Sequence, residues 1–481
     1  MLDAIIAGQC PPLTRRAFAA QFGAMPSDIA RIRQFALRHG FRIGDVSVPR
    51  RMLRLSGPTS ALAEAFGVHR VIRSKGAISW NSYTGYLSVP GELADCITCV
   101  LGFNERPLER GGGAHRLGDN AVTATTPIAS YTPREVAGLY SFPPADGHGQ
   151  SIGVIALGGG YLESDLRTFF RQSHLPKPRF TSVSVSGARN SPRGTSAAFD
   201  GEVTGDIETI GALVPRSRIA VYFAPNSDAG FLNAVATAVH DPRQEISVLS
   251  ISWGEAEVHW EVQTMRALND TMMEAAILGV TVCCASGDNG SFADTYDKKP
   301  RVCFPASSPY VLACGGTTLL AKRSRIRSES VWHNATGASG GGVSTVFPIP
   351  SWQRLSRVPP APNGYRGRGL PDVAANADPR TGYRFFALGH WHVNAGTSAS
   401  APLWTGLTAR INQLSGTPIG FLAPVLYGKY EPLVRAGAVR RITKGNNGTY
   451  RARHGWDCCT GVGVPHGSKL ARAIGVAVRR R

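Results

Sequence analysis

The sequence predicts an α/β protein in which a mostly parallel sheet flanked by helices follows a small α/β unit. Beyond about residue 130, apolar segments of strand length alternate with segments of helical periodicity, which is the pattern of a parallel sheet. Residues 108–130 contain a Gly run and no hydrophobic periodicity, which is typical of an exposed linker. A length of 481 residues also favours two domains over one.

The first 107 residues predict the small α/β unit. A helix is expected in PSDIARIRQFALRHG, with Ser27 as its N-cap and Gly40 as its stop. The strand-like MLRLSG, a second helix in PTSALAEAFGV and the strand-like RVIRS and GYLSVP follow. We therefore assign residues 1–107 to one domain, 108–130 to a linker open to proteolysis, and 131–481 to a second domain.

The second domain contains the strands of the predicted parallel sheet. The apolar candidates are SIGVIAL, RIAVYFA, ISVLSISW and GVTVCCAS. The helical segments include GEVTGDIETIGAL and AGFLNAVATAVH. Open α/β sheets place their sites at the carboxyl ends of such strands, so polar residues that follow them are candidates for chemistry.

The composition argues against several classes of protein. The formal net charge is +19, but the arginines are scattered, and neither dense cluster, RSRIR or the C-terminal VRRR, is interleaved with aromatic residues. We therefore expect no nucleic-acid partner. No run of about 18 apolar residues predicts a membrane span. The N-terminus also lacks the basic and apolar regions of a secretory signal peptide.

The nine cysteines do not form the pattern of a disulfide scaffold in a chain of this length. We expect most of them to be buried thiols. Cys96 and Cys99 form a lone CxxC, and no second ligand pair at a suitable spacing accompanies them, so no zinc site is expected.

Glu202 and Asp206 are the first candidates for chemistry. They are four residues apart in a predicted helix, so both carboxylates lie on one face about one turn apart. Two carboxylates this close share a proton, and the pair can act as a general base where a histidine would already be protonated. The alternative is a solvated acidic face, but the flanking Val203, Gly205 and Ile207 indicate a buried helix.

Asp288 and Ser398 complete the candidate set. Asp288 follows an apolar strand in CCASGDNG, where it is either a turn residue or, when protonated, a donor to a developing oxyanion. Ser398, in GTSASAP, lies at a predicted helix N-terminus, where it is either a helix cap or a nucleophile. Pro402 fits only near the first turn of that helix.

The ordered motifs GEVTGDIE, SISWG, ASGDNG, SGGGVSTVFPIPSWQ and GTSASAPLWTG resemble those of the sedolisin family of serine-carboxyl peptidases, especially its kumamolisin-like branch. The resemblance covers nearly the whole chain. It implies a ferredoxin-like activation prodomain followed by a subtilisin-like catalytic domain. Subtilisins use a helix that opens with His-Gly-Thr-His, which this chain lacks, so no Ser-His-Asp triad is present and activity is expected below neutral pH.

The resemblance also assigns individual roles. It implies a nucleophile, a general base, a carboxylate that supports the base and an oxyanion stabiliser, which are Ser398, Glu202, Asp206 and Asp288 in that order. Trp253 and Gly254 match the edge of the substrate cleft, where a bound peptide can add as a strand.

Two positions depart from the pattern of the family. Some kumamolisin-like enzymes have a catalytic-network Glu where this chain has Ala156, so reduced or pH-shifted activity is expected. The family binds calcium near the C-terminus through two Asp residues; here Asp457 is retained, but Arg441 replaces the other. Arginine offers no oxygen ligand, which makes calcium doubtful. We expect Arg441 to occupy the calcium position and pair with Asp457; the alternative is a looser loop with both residues exposed.

The sequence therefore predicts a zymogen of an acid-acting serine-carboxyl endopeptidase. The prodomain would inhibit the enzyme within the same chain, the linker would hold the maturation site, and unfolded polypeptides would be the substrates. Family resemblance implies a secreted enzyme, and we expect a monomer. The alternative is a catalytically impaired homologue that serves as a peptide-binding module, which the two departures at Ala156 and Arg441 favour.

Overall fold

The computed structural model describes residues 1–6, 9–76, 78–108, 128–192, 197–293, 295 and 297–476. The predicted linker therefore lies largely outside the described residues. The helices and strands before it are α1 Leu2–Ile6, α2 Arg15–Phe22, α3 Pro26–Arg38, β1 Arg42–Ser47, β2 Met52–Ser56, α4 Thr59–Ala65, β3 His69–Lys75 and β4 Ile78–Thr84.

This N-terminal unit is α/β, as predicted, and its described strands form two antiparallel pairs, β1 with β2 and β3 with β4. Two local predictions were wrong. The N-cap of α3 is Met25 rather than Ser27, because Pro26 takes the first helical position, which suits its fixed φ. The segment GYLSVP is not a strand, since β4 ends at Thr84.

The second part of the chain holds a larger set of elements. Its helices are α5 Pro133–Leu139, α6 Glu163–Gln172, α7 Ala197–Leu213, α8 Asp228–His240, α9 Val262–Ile277, α10 Thr397–Ser415, α11 Leu422–Gly428, α12 Tyr430–Arg435 and α13 Gly467–Ala473. Its strands are β5 Ser151–Ala156, β6 Arg179–Ser184, β7 Arg218–Phe223, β8 Val248–Ile251, β9 Glu255–Ala256, β10 Thr281–Ala285, β11 Cys303–Phe304, β12 Leu312–Lys322, β13 Arg325–Val331, β14 His333–Asn334, β15 Gly337–Ala338, β16 Gly342–Pro348, β17 Gly367–Leu370, β18 Val373–Asn376, β19 Tyr383–Ala387, β20 His390–Asn394, β21 Val439–Arg440 and β22 Val464–Pro465.

One sheet organises these elements. Its order is β13-β12-β10-β8-β5-β7-β6, and β18 also pairs with β12. The pairs are parallel except for β12 with β13. The four apolar strand predictions are confirmed as β5, β7, β8 and β10, and the two helix predictions as α7 and α8. Each of these four strands is buried almost throughout, which explains their near-continuous apolar sequences.

Helices α7 and α10 pack closely against each other and carry the candidate site. On α7, Gly205 leaves room for the end of β20, since a Cβ at that position would lie 2.5 Å from the side-chain nitrogen of Asn394. A larger residue would displace that side chain. Both helices are buried along most of their length, which the apolar sequences on all faces indicate.

Six cysteines are buried, and the other three are partly exposed, in agreement with the expectation of mostly buried thiols. Among the helices of the described residues, none is both long and apolar enough to cross a membrane.

The N-terminal unit docks onto α8 and α9 through arginines. Arg15 donates to the backbone oxygens of Val239 and Ile246, each at 2.8 Å, and Arg51 pairs with the buried carboxylate of Glu274. Glu274 also contacts Nε2 of His240 at 2.6 Å. The contact surface therefore encloses a histidine and a carboxylate of the larger part of the chain.

His240 is held neutral in this interface. Burial, reinforced by the charges of Arg15, Arg51 and Arg50, lowers its pKa to about 4. Its Nδ1 has no hydrogen-bond partner among the described residues, and Phe18 lies against the ring at a centroid distance of 5.2 Å. A proton added at Nδ1 would therefore be both unpaired and close to several positive charges.

We predict that acid weakens this interface through His240. An exposed histidine binds its proton near pH 6.5, so the stability that neutral His240 confers is lost as pH falls from about 6.5 to about 4, by at most about 3 kcal/mol. The free energy of unfolding in urea, measured across this range with and without His240→Gln, tests the effect. Both chains carry Ser398→Ala, so that the predicted nucleophile cannot cleave them. The amide can still donate to Glu274 without titrating, so His240→Gln should give the shallower pH dependence; equal slopes would contradict the prediction.

Candidate active site

Ser398 lies at the N-terminus of α10, but it is not the helix cap. The cap is Gly396, and Ser398 is the second residue of the helix and fully buried in this chain. Of the two alternatives for Ser398, the cap is therefore wrong. The unpaired backbone N–H groups of the first turn face the same region and favour negative charge that develops there.

Pro402 changes the hydrogen bonding of this turn. It is the sixth residue of α10, one turn later than predicted. Because proline has no N–H, the carbonyl of Ser398, four residues earlier, loses its helical partner. The hydroxyl of Ser252 instead donates to this carbonyl at 3.4 Å. The same oxygen lies 3.0 Å from Asp206 Oδ1, so its single proton is shared between the two acceptors and Ser252 connects the serine backbone with the carboxylate pair.

Glu202 and Asp206 lie side by side on α7, as predicted, and both are almost completely buried. Burial, together with the neighbouring Asp206, raises the pKa of Glu202 well above its ordinary value, and the hydroxyl of Ser398 opposes the rise. The effect on this pKa places the Ser398 hydroxyl close to Glu202. Burial also raises the pKa of Asp206, to about 8.

Asp288 follows β10 and faces the same place from the sheet. Its Oδ1 accepts hydrogen bonds from the backbone N–H and the hydroxyl of Thr397, at 2.8 and 2.7 Å. Its Oδ2 is buried without a partner among the described residues. Burial raises the pKa of Asp288 to about 6, so at acidic pH Oδ2 carries a proton that it can donate.

Trp253 and Gly254 continue from β8 beside these residues. The ring of Trp253 is buried and packs edge-on against Phe199 of α7, with centroids 5.1 Å apart. A Cβ at Gly254 would lie 2.7 Å from the carbonyl oxygen of Phe304, so glycine is required here by the adjacent backbone. Trp253 therefore borders the helix that carries the carboxylate pair, and Gly254 borders the neighbouring strand β11.

Sequence reasoning missed two residues of the site. Thr397 anchors Asp288, and Ser252 anchors Asp206. The signal was available, since each residue directly precedes one that was singled out, Ser398 and Trp253. Their importance lies in the direction of the side chain, which a motif does not give.

The predicted ion pair between Arg441 and Asp457 was wrong. The guanidinium of Arg441 instead binds both carboxylate oxygens of Glu431, at 2.9 and 3.0 Å, and the hydroxyl of Tyr430 at 3.0 Å. It also lies over the ring of Tyr430. The alternative of an exposed Asp457 was wrong as well, since that residue is buried.

The residues at this position do not fit a calcium ion. Both oxygens of Asp457 already accept backbone hydrogen bonds, Oδ1 from Cys459 and Thr460 and Oδ2 from Arg453. Within the described ranges, no group of three or more His, Cys, Asp or Glu side chains is placed to hold a metal.

Comparison with known proteins places this site in a family. A model described as "Subtilase family" matches residues 140–456, and one described as "Pro-kumamolisin, activation domain" matches residues 8–106. Kumamolisin of Bacillus sp. (strain MN-32) is 46% identical over 477 residues, which cover 96% of this chain and 86% of that protein. The chain belongs to the sedolisin family of serine-carboxyl peptidases.

Other sedolisins agree with this assignment. Sedolisin of Pseudomonas sp. (strain 101) is 27% identical over 490 residues, covering 96% of this chain and 81% of that protein. The solved structure of Pseudomonas sedolisin, complexed with two molecules of pseudo-iodotyrostatin, matches with a TM-score of 0.65 at 28% identity, covering 72% of this chain and 98% of that chain. The protein is thus a serine-type endopeptidase of the kumamolisin-like branch, made as a zymogen with an activation prodomain.

We predict that this sedolisin does not need calcium for stability. Arg441 and Glu431 supply a direct ion pair, so a chelator should leave the Tm unchanged. Glu431→Gln should reduce the free energy of unfolding by about 0.5–1 kcal/mol, since the pair is partly exposed. Thermal unfolding with and without chelator measures both effects. A large fall in Tm on chelation, reversed by added calcium, would contradict this prediction.

Proposed function

We propose that Ser398 is the nucleophile, Glu202 its general base, Asp206 the carboxyl that supports Glu202, and Asp288 the oxyanion stabiliser. Attack by Ser398 on a peptide carbonyl gives an acyl-enzyme, which water then hydrolyses. The observation that carries the proposal is the burial of the carboxylate pair on α7 beside the N-terminus of α10. Trp253 and Gly254 border the cleft along which the substrate extends.

Proton sharing makes a carboxyl pair a workable base in acid. One proton held between Glu202 and Asp206 still leaves an oxygen able to accept the proton of Ser398. The hydroxyl of Ser252 holds Asp206 in place by its hydrogen bond. As charge develops on the substrate oxygen, protonated Asp288 donates to it from Oδ2, since its Oδ1 is occupied by Thr397.

The raised pKa of Asp288 favours activity in acid, whereas the raised pKa values of Glu202 and Asp206 set the lower end of the range, because the pair must hold no more than one proton to act as a base. Protonated Asp288 is the form that donates, and its pKa of about 6 sets the upper end of the active range. At higher pH the carboxylate pair also loses its shared proton, since the pKa of Asp206 is about 8. Ala156, where a proton-relaying Glu is found in some relatives, is buried at the end of β5 and adds no group to the network, which reduces or shifts activity.

We further propose the organisation of the zymogen. Residues 1–107 form the inhibitory prodomain, 108–130 the linker that contains the maturation site, and 131–481 the catalytic domain. The match of residues 8–106 to a pro-kumamolisin activation domain supports this division. The mature enzyme is a secreted monomer that cleaves unfolded polypeptides.

Self-processing tests the nucleophile. Purified precursor at about pH 4 should cleave itself within residues 108–130, and Ser398→Ala or Glu202→Gln should slow this by several orders of magnitude, about 10⁴ or more. Gel electrophoresis and mass spectrometry of the products measure it. Ser400→Ala is a matched control, because Ser400 is buried two residues further along α10. Processing by pure Ser398→Ala chain would exclude Ser398 as the nucleophile.

The pH profile tests the oxyanion stabiliser. For the unmutated enzyme kcat/KM should fall as pH rises past about 6, because Asp288 loses the proton that it donates. An amide donates at every pH, so Asp288→Asn should move this limb to higher pH. Asp288→Ala should instead lose about 10²–10³-fold throughout the range. An unchanged limb in Asp288→Asn would show that another group sets it.

A further inference from the structure

Glu255 extends the edge of the cleft beyond Gly254. It begins β9, which pairs antiparallel with β11. Ser252, three residues earlier, contacts Asp206 of the carboxylate pair. Three residues of extended chain span at most about 10 Å, so Glu255 lies within reach of a substrate side chain a few positions from the scissile bond.

In the zymogen Glu255 binds an arginine of the prodomain. Nη1 of Arg106 donates to Glu255 Oε1 at 2.9 Å and Nη2 donates to Oε2 at 2.6 Å, which is the two-pronged geometry of strong guanidinium–carboxylate recognition. Nη2 also donates to the backbone oxygen of His259 at 2.9 Å. The carboxylate is only 2% exposed, so the contact is formed away from solvent.

The backbone of the same segment is also bound. Asn226 accepts from the N–H of Leu108 at 3.1 Å and donates to the carbonyl of Leu108 at 3.3 Å. Asn104 donates to Glu261 at 3.0 Å. Alternate residues of an extended segment face the same side. The side chain of Arg106 and the backbone of Leu108 are therefore bound as parts of an extended peptide substrate would be.

The surrounding charges favour a cation. Burial opposes the ionisation of Glu255, but hydrogen bonds from His259 and Arg106 outweigh it and lower its pKa. Asp228 is buried beside them with no partner for its Oδ1 among the described residues, and burial raises its pKa to about 6, so in acid it adds a polar carboxyl rather than a charge. The carboxyls of Asp228 and Glu261 border the small cavity between the prodomain and α8–α9.

We infer that Glu255, flanked by Asp228 and Glu261, forms a subsite for a basic side chain of the polypeptide substrate. Arg106 fills this subsite until the prodomain leaves. All three carboxyls remain with the catalytic domain, and Glu255, which keeps its contact with His259 but loses Arg106, can then accept the guanidinium of a substrate. Arginine is preferred over lysine because Glu255 accepts from both prongs of a guanidinium. The inference rests on the proposed function, whose peptide cleft it uses.

The test uses the mature enzyme and matched quenched-fluorescence peptides. In one scaffold, arginine, lysine or citrulline, the neutral relative of arginine, is placed in turn at each position around the cleaved bond. At one position arginine should raise kcat/KM over citrulline by about 10–100-fold, as expected for charge-assisted hydrogen bonds. Equal rates at every position would overturn the subsite alone, whereas no cleavage of any peptide would overturn the proposed function as well.

Two variants assign the effect to Glu255. Glu255→Gln should abolish the ratio of kcat/KM between the arginine and citrulline peptides, whereas Glu163→Gln, which removes an exposed carboxylate on α6, should retain it. Should Glu255→Gln not fold, inhibition of the unmutated enzyme by a peptide of residues 104–108 supplies the measure. The peptide with arginine should inhibit about tenfold better than the one with citrulline; equal inhibition overturns the inference.

Discussion

Glu202, Asp206 and Asp288 are three carboxyl groups buried around one serine. Among the described residues, none of the three forms an ion pair with a lysine, arginine or histidine. Negative charge buried without a cation is costly, so protons must neutralise part of it, and the raised pKa values express this requirement. The same constraint selects the chemistry, because protonated and proton-sharing carboxyls can stabilise an oxyanion and accept a proton only where acid supplies them. The three carboxyls are therefore least costly to bury in the range of pH in which they can act.

The geometry of the site depends on how closely α7 approaches α10. Glycine at position 406 of α10 permits a close approach, since a Cβ there would lie 2.7 Å from the side chain of Leu213 on α7, and the two carboxyls of α7 lie beside the first turn of α10. Pro402 then frees the carbonyl of Ser398, which Ser252 binds. The position of α7, the missing N–H of Pro402 and the hydroxyl of Ser252 therefore hold Ser398 and the two carboxyls in place. Hydrogen bonds from Thr397 add Asp288 to the same arrangement.

The sequence predicted the features that depend on local composition. Continuous apolar runs gave β5, β7, β8 and β10, because strands buried on both faces need no polar alternation. The spacing of Glu202 and Asp206 predicted their shared face, because residues four apart lie on the same side of a helix. Features that depend on the direction of a side chain were not predictable. Arg441 could turn to Asp457 or to Glu431, which precedes it by ten residues, and only the position of α12 decides between them. Ser252 is a similar case, because the motif SISWG indicates its position after β8 but not which residues its hydroxyl contacts.

The prodomain solves the problem of buried carboxylates in another way. Glu255 and Glu274 of the catalytic part are buried like Glu202, but each is neutralised by an arginine of the prodomain, Arg106 or Arg51, rather than by a proton. The prodomain is therefore bound partly through charges, although each carboxylate also contacts a histidine of the catalytic part, His259 or His240. Acid charges the neutral His240 beside Glu274, which weakens the attraction of this carboxylate to Arg51. The zymogen is thus most tightly closed at the pH where its catalytic carboxyls are least suited to act.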